Sequence, residues 1–195
     1  MSTVSIVSQG SIKTSVTEMN VGDYIAARYV TTAMTTPGTF SELGTVDTST
    51  VANFSSTQLD GVVYFMKVAK GVLMCTTLTC SGVTYSVMNK LNLIYGSKVT
   101  LASKDFLLRV PNISEFTSAN STMNGIVSTD DRYTNFGTAA GTKEIIQENY
   151  CLTPGYYTWN TTPGDTTNYA SGDDSRFARM VLVYPEDSKC TDLYH

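Results

Sequence analysis

The stretch Leu107 to Phe116, LLRVPNISEF, decides how the rest of the chain is read. Its apolar run LLRV has the length and composition of a strand. Pro111 ends it, because proline has no amide hydrogen to give to a β-ladder. Asn112 is a good helix N-cap and Glu115 stands three places on, which makes an N-x-x-E version of the capping box. Ile113 and Phe116 then share a helical face. The stretch predicts a strand handing over to a short helix, and so a chain that mixes both elements.

Working backward, the first eighty residues read as strands. VSIVS (4–8) and IKTSV (12–16) alternate apolar and polar residues, and DYIAARYVTT (23–32) is β-branched and aromatic. MTTPGT (34–39) reads as a turn. VDTSTVANFSSTQLDG (46–61) has no periodicity and reads as an exposed loop. In GVVYFMKVAKGVLMCTTLT (61–79), Gly71 falls where a hairpin or bulge belongs. In YSVMNKLNLIYG (85–96), Val87, Leu91 and Ile94, with Met88 and Tyr95, recur at helical spacing, and Gly96 is placed as a C-cap.

Working forward, residues from about 120 to 177 are polar, aromatic and loop-like, with TKEIIQEN (142–149) as one helical turn between them. Met180 to Tyr184 is an apolar closing strand that stops at Pro185. Loops this long in a small domain usually serve a function. The expected fold class is α+β, an antiparallel β-sheet with two short helices and long loops. The expected organisation is an N-terminal arm or strand over 1–17 and a single domain over 18–195.

Composition narrows the function. The 195 residues carry 13 Lys plus Arg against 17 Asp plus Glu, a net charge of -4. With no basic cluster there is no electrostatic footing for phosphate backbones, so no nucleic-acid partner is expected. Hydrophobic residues make up 42% and mean hydropathy is -0.05, enough for a real core. MSTVSIVSQG lacks the basic and apolar regions of a signal peptide, and no apolar run is long enough to span a membrane. Synthesis in a cytoplasm without standard export and no membrane insertion are therefore expected. Four Asn-x-Ser/Thr sequons, at Asn53, Asn112, Asn120 and Asn160, are near what chance gives in so Ser/Thr-rich a chain.

Chemistry is sparse. The single histidine is His195, so neither a Ser/His/Asp nor a Cys/His system can be assembled from an internal histidine. Cys75 and Cys80 form C-x4-C, but five places apart on one strand puts them on opposite faces unless the chain turns between them. Reduced, partly buried thiols are the expectation. Asp130–Asp131 and Asp173–Asp174 read as solvated loop carboxylates. Binding has more support. PGYYTWNTTPGDTTNY (154–169) sets Tyr156, Tyr157, Trp159 and Tyr169 among Asn160, Thr, Asp and Gly, a mixture of flat apolar faces and adaptable hydrogen-bonding groups that suits recognition. Some of these rings could equally fill the loops' own core. Arg132, beside Tyr133, is a second candidate. A further option is assembly through an edge of the low-charge, Thr/Ser-rich sheet half.

The order of these features resembles the C-type-lectin-like fold, in the version shared by formylglycine-generating proteins and phage tail-fibre and tropism proteins. TYSVMNKLN (84–92) is similar to the family's helix running to Leu-Asn, RVPNISEF (109–116) to its Arg-Leu-Pro-Thr-x-x-Glu-Trp turn, and RFARMVLVY (176–184) to its terminal Gly-Phe-Arg strand. NVGDYIAARYV, GTFSELGT and DGVVYFMKVAKGVLM are similar to the head of phage tail domains from Gram-positive hosts. Oxidase members need a close cysteine pair near the domain's C-terminal end, whereas here the close pair precedes the first helix. Calcium-binding members use Glu-Pro-Asn and Trp-Asn-Asp, and here Val110-Pro111-Asn112 and Trp159-Asn160-Thr161 lack the acidic members.

The resemblance implies a non-enzymatic bacteriophage virion structural protein, a tail-tip or fibre component that binds a host-surface ligand through an aromatic loop face. It is expected to have no cofactor and no metal. Its partners would be other virion proteins, further copies of itself and a host cell-surface glycan or protein. The alternative is a head or tail decoration, collar or fibre-anchoring protein with only subunit contacts.

Overall fold

The computed structural model describes residues 10–112, 114–115, 118–119, 144–147 and 176–186. In chain order the strands are β1 (Ile12–Lys13), β2 (Tyr24–Val30), β3 (Thr39–Ser41), β4 (Asp60–Ala69), β5 (Val72–Cys75), β6 (Cys80–Val83), β7 (Ser97–Leu101), β8 (Lys104–Arg109), β9 (Arg176–Ala178) and β10 (Val181–Val183). One short helix, α1 (Tyr85–Lys90), stands between β6 and β7, and Val16–Glu18 forms a 3-10 turn. Among the described residues the protein is mostly β-sheet with little helix.

Eight strands make one sheet in the order β1-β2-β4-β5-β10-β8-β7, with β3 also on β2. All its pairs are antiparallel except β1 on β2, so the sheet is mixed where an antiparallel one was expected. The last strand, β10, inserts between β5 and β8 and completes the middle of the sheet. The remaining strands, β6 and β9, pair separately.

Both faces of the large sheet are apolar, because alternate residues along each strand point to opposite sides. Ile25, Ala27, Tyr29, Phe65, Leu73, Leu108 and Leu182 belong to the larger core, with Met88 and Ile94 from the α1 region. Tyr24, Met66, Met74 and Val181 belong to a second cluster that includes Ala119 and Ile146. This is why YIAA and VVYFM read as nearly continuous apolar runs.

Several expectations need correction. IKTSV is a strand only at Ile12–Lys13, and Val16 then enters the 3-10 turn. The 46–61 stretch is not wholly exposed, since Val46 and Phe54 are buried. Phe54 reaches the core because its amide bonds the Val62 carbonyl at 2.8 Å, which fastens the loop to β4. The helix in 85–96 stops at Lys90, and Asn92, not Gly96, takes the left-handed conformation behind it (φ 58°). The expected apolar face therefore splits. Met88 and Ile94 are buried, whereas Val87, Leu91 and Tyr95 face outward. Gly96 (φ +124°) instead allows a close approach, since a Cβ there would lie 2.3 Å from the Leu107 side chain. Glu144 is not helical but bridges Phe177 as extended chain. The closing strand forms as expected at β10, and a separate strand, β9, precedes it in the smaller sheet.

The handover forms as its sequence indicates over the described residues, whereas Ile113 and Phe116 lie outside them. β8 ends at Arg109. The Glu115 amide donates to Asn112 Oδ1 at 2.9 Å, and the Asn112 amide donates to Glu115 Oε2 at 2.8 Å. Residues 114–115 and 118–119 are helical. Glu115 does more than cap, because both its oxygens also accept from the Arg109 guanidinium, and both side chains are buried. Gly71 closes the β4–β5 hairpin at φ +67°, where a Cβ would lie 2.4 Å from the Tyr184 carbonyl.

Two polar groups tie the chain's end to its beginning. Arg179 is fully buried and grips Glu144 through Nε (3.0 Å) and Nη2 (2.9 Å), while Nη1 donates to the carbonyls of Cys75 (3.0 Å) and Thr76 (2.7 Å). Lys67, also buried, donates to the Met19 carbonyl (2.7 Å) and to Glu186 (2.8 Å), whose other oxygen accepts from the Gly71 amide (2.8 Å).

Removing one partner of a buried ion pair leaves a charge with no solvation, a loss of about 3–5 kcal/mol. Arg179→Met is expected to lower unfolding stability by that order in chemical denaturation. Arg179→Lys is expected to rescue little, because an ammonium lacks the planar fork that serves a carboxylate and two carbonyls together. Stability within about 1 kcal/mol of the parent for either variant would contradict this assignment.

The Lys67 ammonium, helped by the Gly71 amide, outweighs partial burial and holds the Glu186 carboxyl below its ordinary range. A lowered folded-state value gives stability that is full above the unfolded value, about 4.3, and is lost as pH falls through the folded one. Glu186→Gln is expected to flatten this part of the acid limb of a stability–pH curve below about pH 4.3. An unchanged limb would show that the pair contributes nothing there.

Candidate functional site

The sheet has a corner where two chain segments leave it side by side. β5 ends at Cys75 and the chain turns through 76–79 into β6. Opposite, β9 gives way to β10 across Arg179 and Met180. The crossing is closed by backbone bonds from the Cys75 amide to the Met180 carbonyl (2.9 Å) and from the Thr79 amide to the Ala178 carbonyl (3.0 Å). The carbonyls of Cys75 and Thr76, at the end of β5, accept from Arg179 Nη1.

Beyond this corner lies a cleft of about 250 Å³ lined by Met34, Ser55, Ser56, Thr77, Leu78, Ser81 and Phe177. Four segments supply these residues, and each is tied down. Met34 is held because its carbonyl accepts the Ser81 amide at 2.8 Å. The 31–38 turn is further anchored by Tyr29, whose hydroxyl accepts from the Gly38 amide (2.7 Å) and donates to the Thr79 carbonyl (3.1 Å). Ser55 and Ser56 follow Phe54, which packs edge-on against the Tyr29 ring at 4.8 Å. Phe40 lies 4.6 Å from the same ring and 5.2 Å from Phe65. Four aromatic rings thus hold the segment just before the 55–56 wall.

The fourth wall is the β6–β9 pair, in which Ser81 stands opposite Phe177. The register slips between Ser81 and Val83, and Gly82 takes φ +73° at the slip. A bulge of this kind re-aims the side chains beside it. Phe177 is 37% exposed although the next residue, Ala178, is fully buried. Its ring is the large apolar surface at the cleft.

Among the described residues the lining carries no charged side chain. The Ser55 hydroxyl accepts from the Gln58 amide at 3.0 Å and so belongs to its own turn. The hydroxyls of Ser56, Thr77 and Ser81 make no hydrogen bond among the described residues. The cleft therefore offers three free hydroxyls, each able to donate and accept, beside the apolar atoms of Met34, Leu78 and Phe177.

The thiols next to the cleft are not part of it. Cys75 and Cys80 are free and buried, and the chain does turn between them. Desolvation pushes the Cys75 thiol up to about 12 and the Cys80 thiol up to about 11. Both stay protonated near neutral pH, and a thiol without its thiolate is a poor nucleophile and a poor metal ligand.

Arg132, Tyr156, Tyr157, Trp159, Asn160 and Tyr169, the candidates from the sequence, lie outside the described residues. So do both Asp-Asp pairs, Cys151 and Cys190. The two ends of the segment carrying the rings are described. Gln147 is fastened by its amide to the Pro111 carbonyl (3.0 Å) and by Nε2 to the Ile94 carbonyl (2.7 Å). Arg176 pairs with Val83 in the β6–β9 ladder, one residue before Phe177. The cleft residues themselves escaped sequence reading. Met34 lies within a plain turn signal, Ser55 and Ser56 within a loop taken as featureless, and Phe177 within a strand. Only the flanking glycine of Cys-Ser-Gly-Val hinted at a bulge.

No helix among the described residues is long and apolar enough to cross a membrane. No family model matches the chain, and no curated protein or solved structure matches it significantly.

In peptide mapping after iodoacetamide at pH 8, Cys75 and Cys80 are expected to stay unmodified in the native protein and to react fully in denaturant. Modification of either thiol in the native state within minutes would place it outside the core.

Proposed function

We propose that this chain is a non-enzymatic bacteriophage virion protein, built in the C-type-lectin-like manner and carried at a tail tip or fibre, where it adheres to a host-surface ligand. The reading rests first on the sequence, which has no internal histidine and an aromatic, Asn/Thr/Gly-rich segment at 154–169. One structural observation supports it most: the chain beyond that segment is next described at Arg176, one residue before the exposed Phe177 and a cleft whose described lining is uncharged. A scaffold already fixed by its own bonds suits adhesion, since less ordering remains to oppose binding at its surface. Tyr156, Tyr157, Trp159, Asn160, Tyr169 and Arg132 are the residues proposed to make contact. Other virion proteins and further copies of the chain are the proposed assembly partners.

A second reading, a decoration, collar or fibre-anchoring component, is favoured by a different observation. Val87, Leu91 and Tyr95 point outward from α1 and the turn behind it, with Tyr95 62% exposed. Outward apolar side chains grouped in this way suit burial between subunits.

Alanine replacement of both Tyr157 and Trp159 tests the first reading. Adsorption to host cells is expected to fall at least tenfold while the unfolding midpoint stays within a few degrees of the parent. Undiminished adsorption by the folded double variant would refute the aromatic face as the contact.

A further inference from the structure

The cleft behind Phe177 has a chemistry narrow enough to say what it takes. We propose that Met34, Ser56, Thr77, Ser81 and Phe177 form a metal-independent subsite for one neutral sugar ring of a host-surface glycan. That the glycan belongs to a host rests on the adhesion reading above, whereas the ligand class rests on the cleft alone.

Size comes first. About 250 Å³ is the space of roughly eight waters at ~30 Å³ each. It lies just under the range of drug-sized sites, which begins at about 300 Å³. A single six-membered ring with its hydroxyls is a ligand of this scale.

Charge comes next. None of the seven described lining side chains is ionisable, so from these residues a carboxylate, phosphate or ammonium would give up its water and gain no opposite charge. A neutral ligand loses less. Among the described lining residues a divalent cation would meet no carboxylate, so the subsite is proposed to work without one.

Complementarity then selects among neutral ligands. The hydroxyls of Ser56, Thr77 and Ser81 are unspent within the described chain and can each donate and accept. A sugar hydroxyl has the same dual character, so the two can pair in either sense. The C–H face of a pyranose needs an apolar surface opposite, and the Phe177 ring, Met34 and Leu78 provide it. An extended peptide fits less well. It binds best along an open strand edge, and here the Ser81 amide is already given to the Met34 carbonyl while β6 is paired with β9.

Rigidity completes the case. The 31–38 turn, the 55–56 wall and the β6 bulge are all held by the bonds and ring contacts described above, so the subsite exists before its ligand arrives.

The test is a titration of the full chain, labelled at methionine methyls, with methyl glycosides of glucose, galactose, mannose, rhamnose and N-acetylglucosamine, and with methyl glucuronide as the charged control. At least one neutral glycoside is expected to shift the Met34 methyl saturably, with or without EDTA, while the core methyls of Met66 and Met74 stay in place. Thr77→Val combined with Ser81→Ala is expected to weaken that binding at least tenfold, as is Phe177→Ala. Ser56→Trp, at an exposed position on the mouth, is expected to block it. The unchanged Met66 and Met74 signals confirm folding in each variant.

Three outcomes overturn the proposal: no neutral glycoside moves Met34, only the glucuronide does, or EDTA abolishes the shift. Undiminished binding by all the folded variants overturns it too. Cell adsorption is scored separately. A chain that adsorbs while no glycoside reaches Met34 sinks the subsite and leaves adhesion standing. One that binds a glycoside at Met34 yet never adsorbs sinks adhesion and leaves the subsite.

Discussion

Arg179 carries a full charge into a place without water, and the crossing of two sheets depends on how that charge is satisfied. Its planar fork meets the Glu144 carboxylate on one side and the carbonyls of Cys75 and Thr76 on the other. Those carbonyls stand where β5 ends and the chain turns toward β6. A chain that bends out of a sheet exposes backbone acceptors, and buried acceptors must be paired. One side chain therefore solves the problem created by the turn and joins residues about a hundred positions apart. The ion pair is weak as a source of net stability but strict as a specification, because few other arrangements satisfy all its members.

The same logic recurs twice. Arg109 and Glu115 neutralise one another where β8 stops, and Glu115 also closes the helix start through the Asn112 amide. Lys67 and Glu186 join the β4–β5 hairpin to the segment after β10, with Met19 as a third partner. All three clamps hold places where regular hydrogen bonding ends. Strands carry the bulk of the core, and the charged groups decide where strands stop.

These constraints matter for the cleft. Its walls come from a turn, a loop, a corner and a bulged strand pair, none of which is stiff alone. Tyr29 binds three of them through its hydroxyl and ring, and burial raises the cost of ionising that hydroxyl, so it remains available as a donor to Thr79. Surface groups that would otherwise wander are thereby fixed in relation to one another. The described walls of this depression, beside an exposed phenyl ring, are thus held in one arrangement before anything occupies it.

The sequence by itself determined what local chemistry can determine. Pro111, Asn112 and Glu115 act within one turn of chain, so the strand-to-helix handover was legible, as was the hairpin at Gly71. The sequence also showed that His195 is the single histidine of this chain. Tertiary structure decided the rest, because it depends on partners far along the chain. Helical spacing could not tell that Val87, Leu91 and Tyr95 would face outward, since the left-handed Asn92 reverses the path before the stripe is complete. The apolar run Met180 to Tyr184 was legible as a closing strand, but not that the residues before it would join a second sheet, because that depends on the distant pairing of Ala178 with Cys80. Nor could Ser56, Thr77, Ser81 and Phe177 be joined from spacing, for they meet only when that crossing closes.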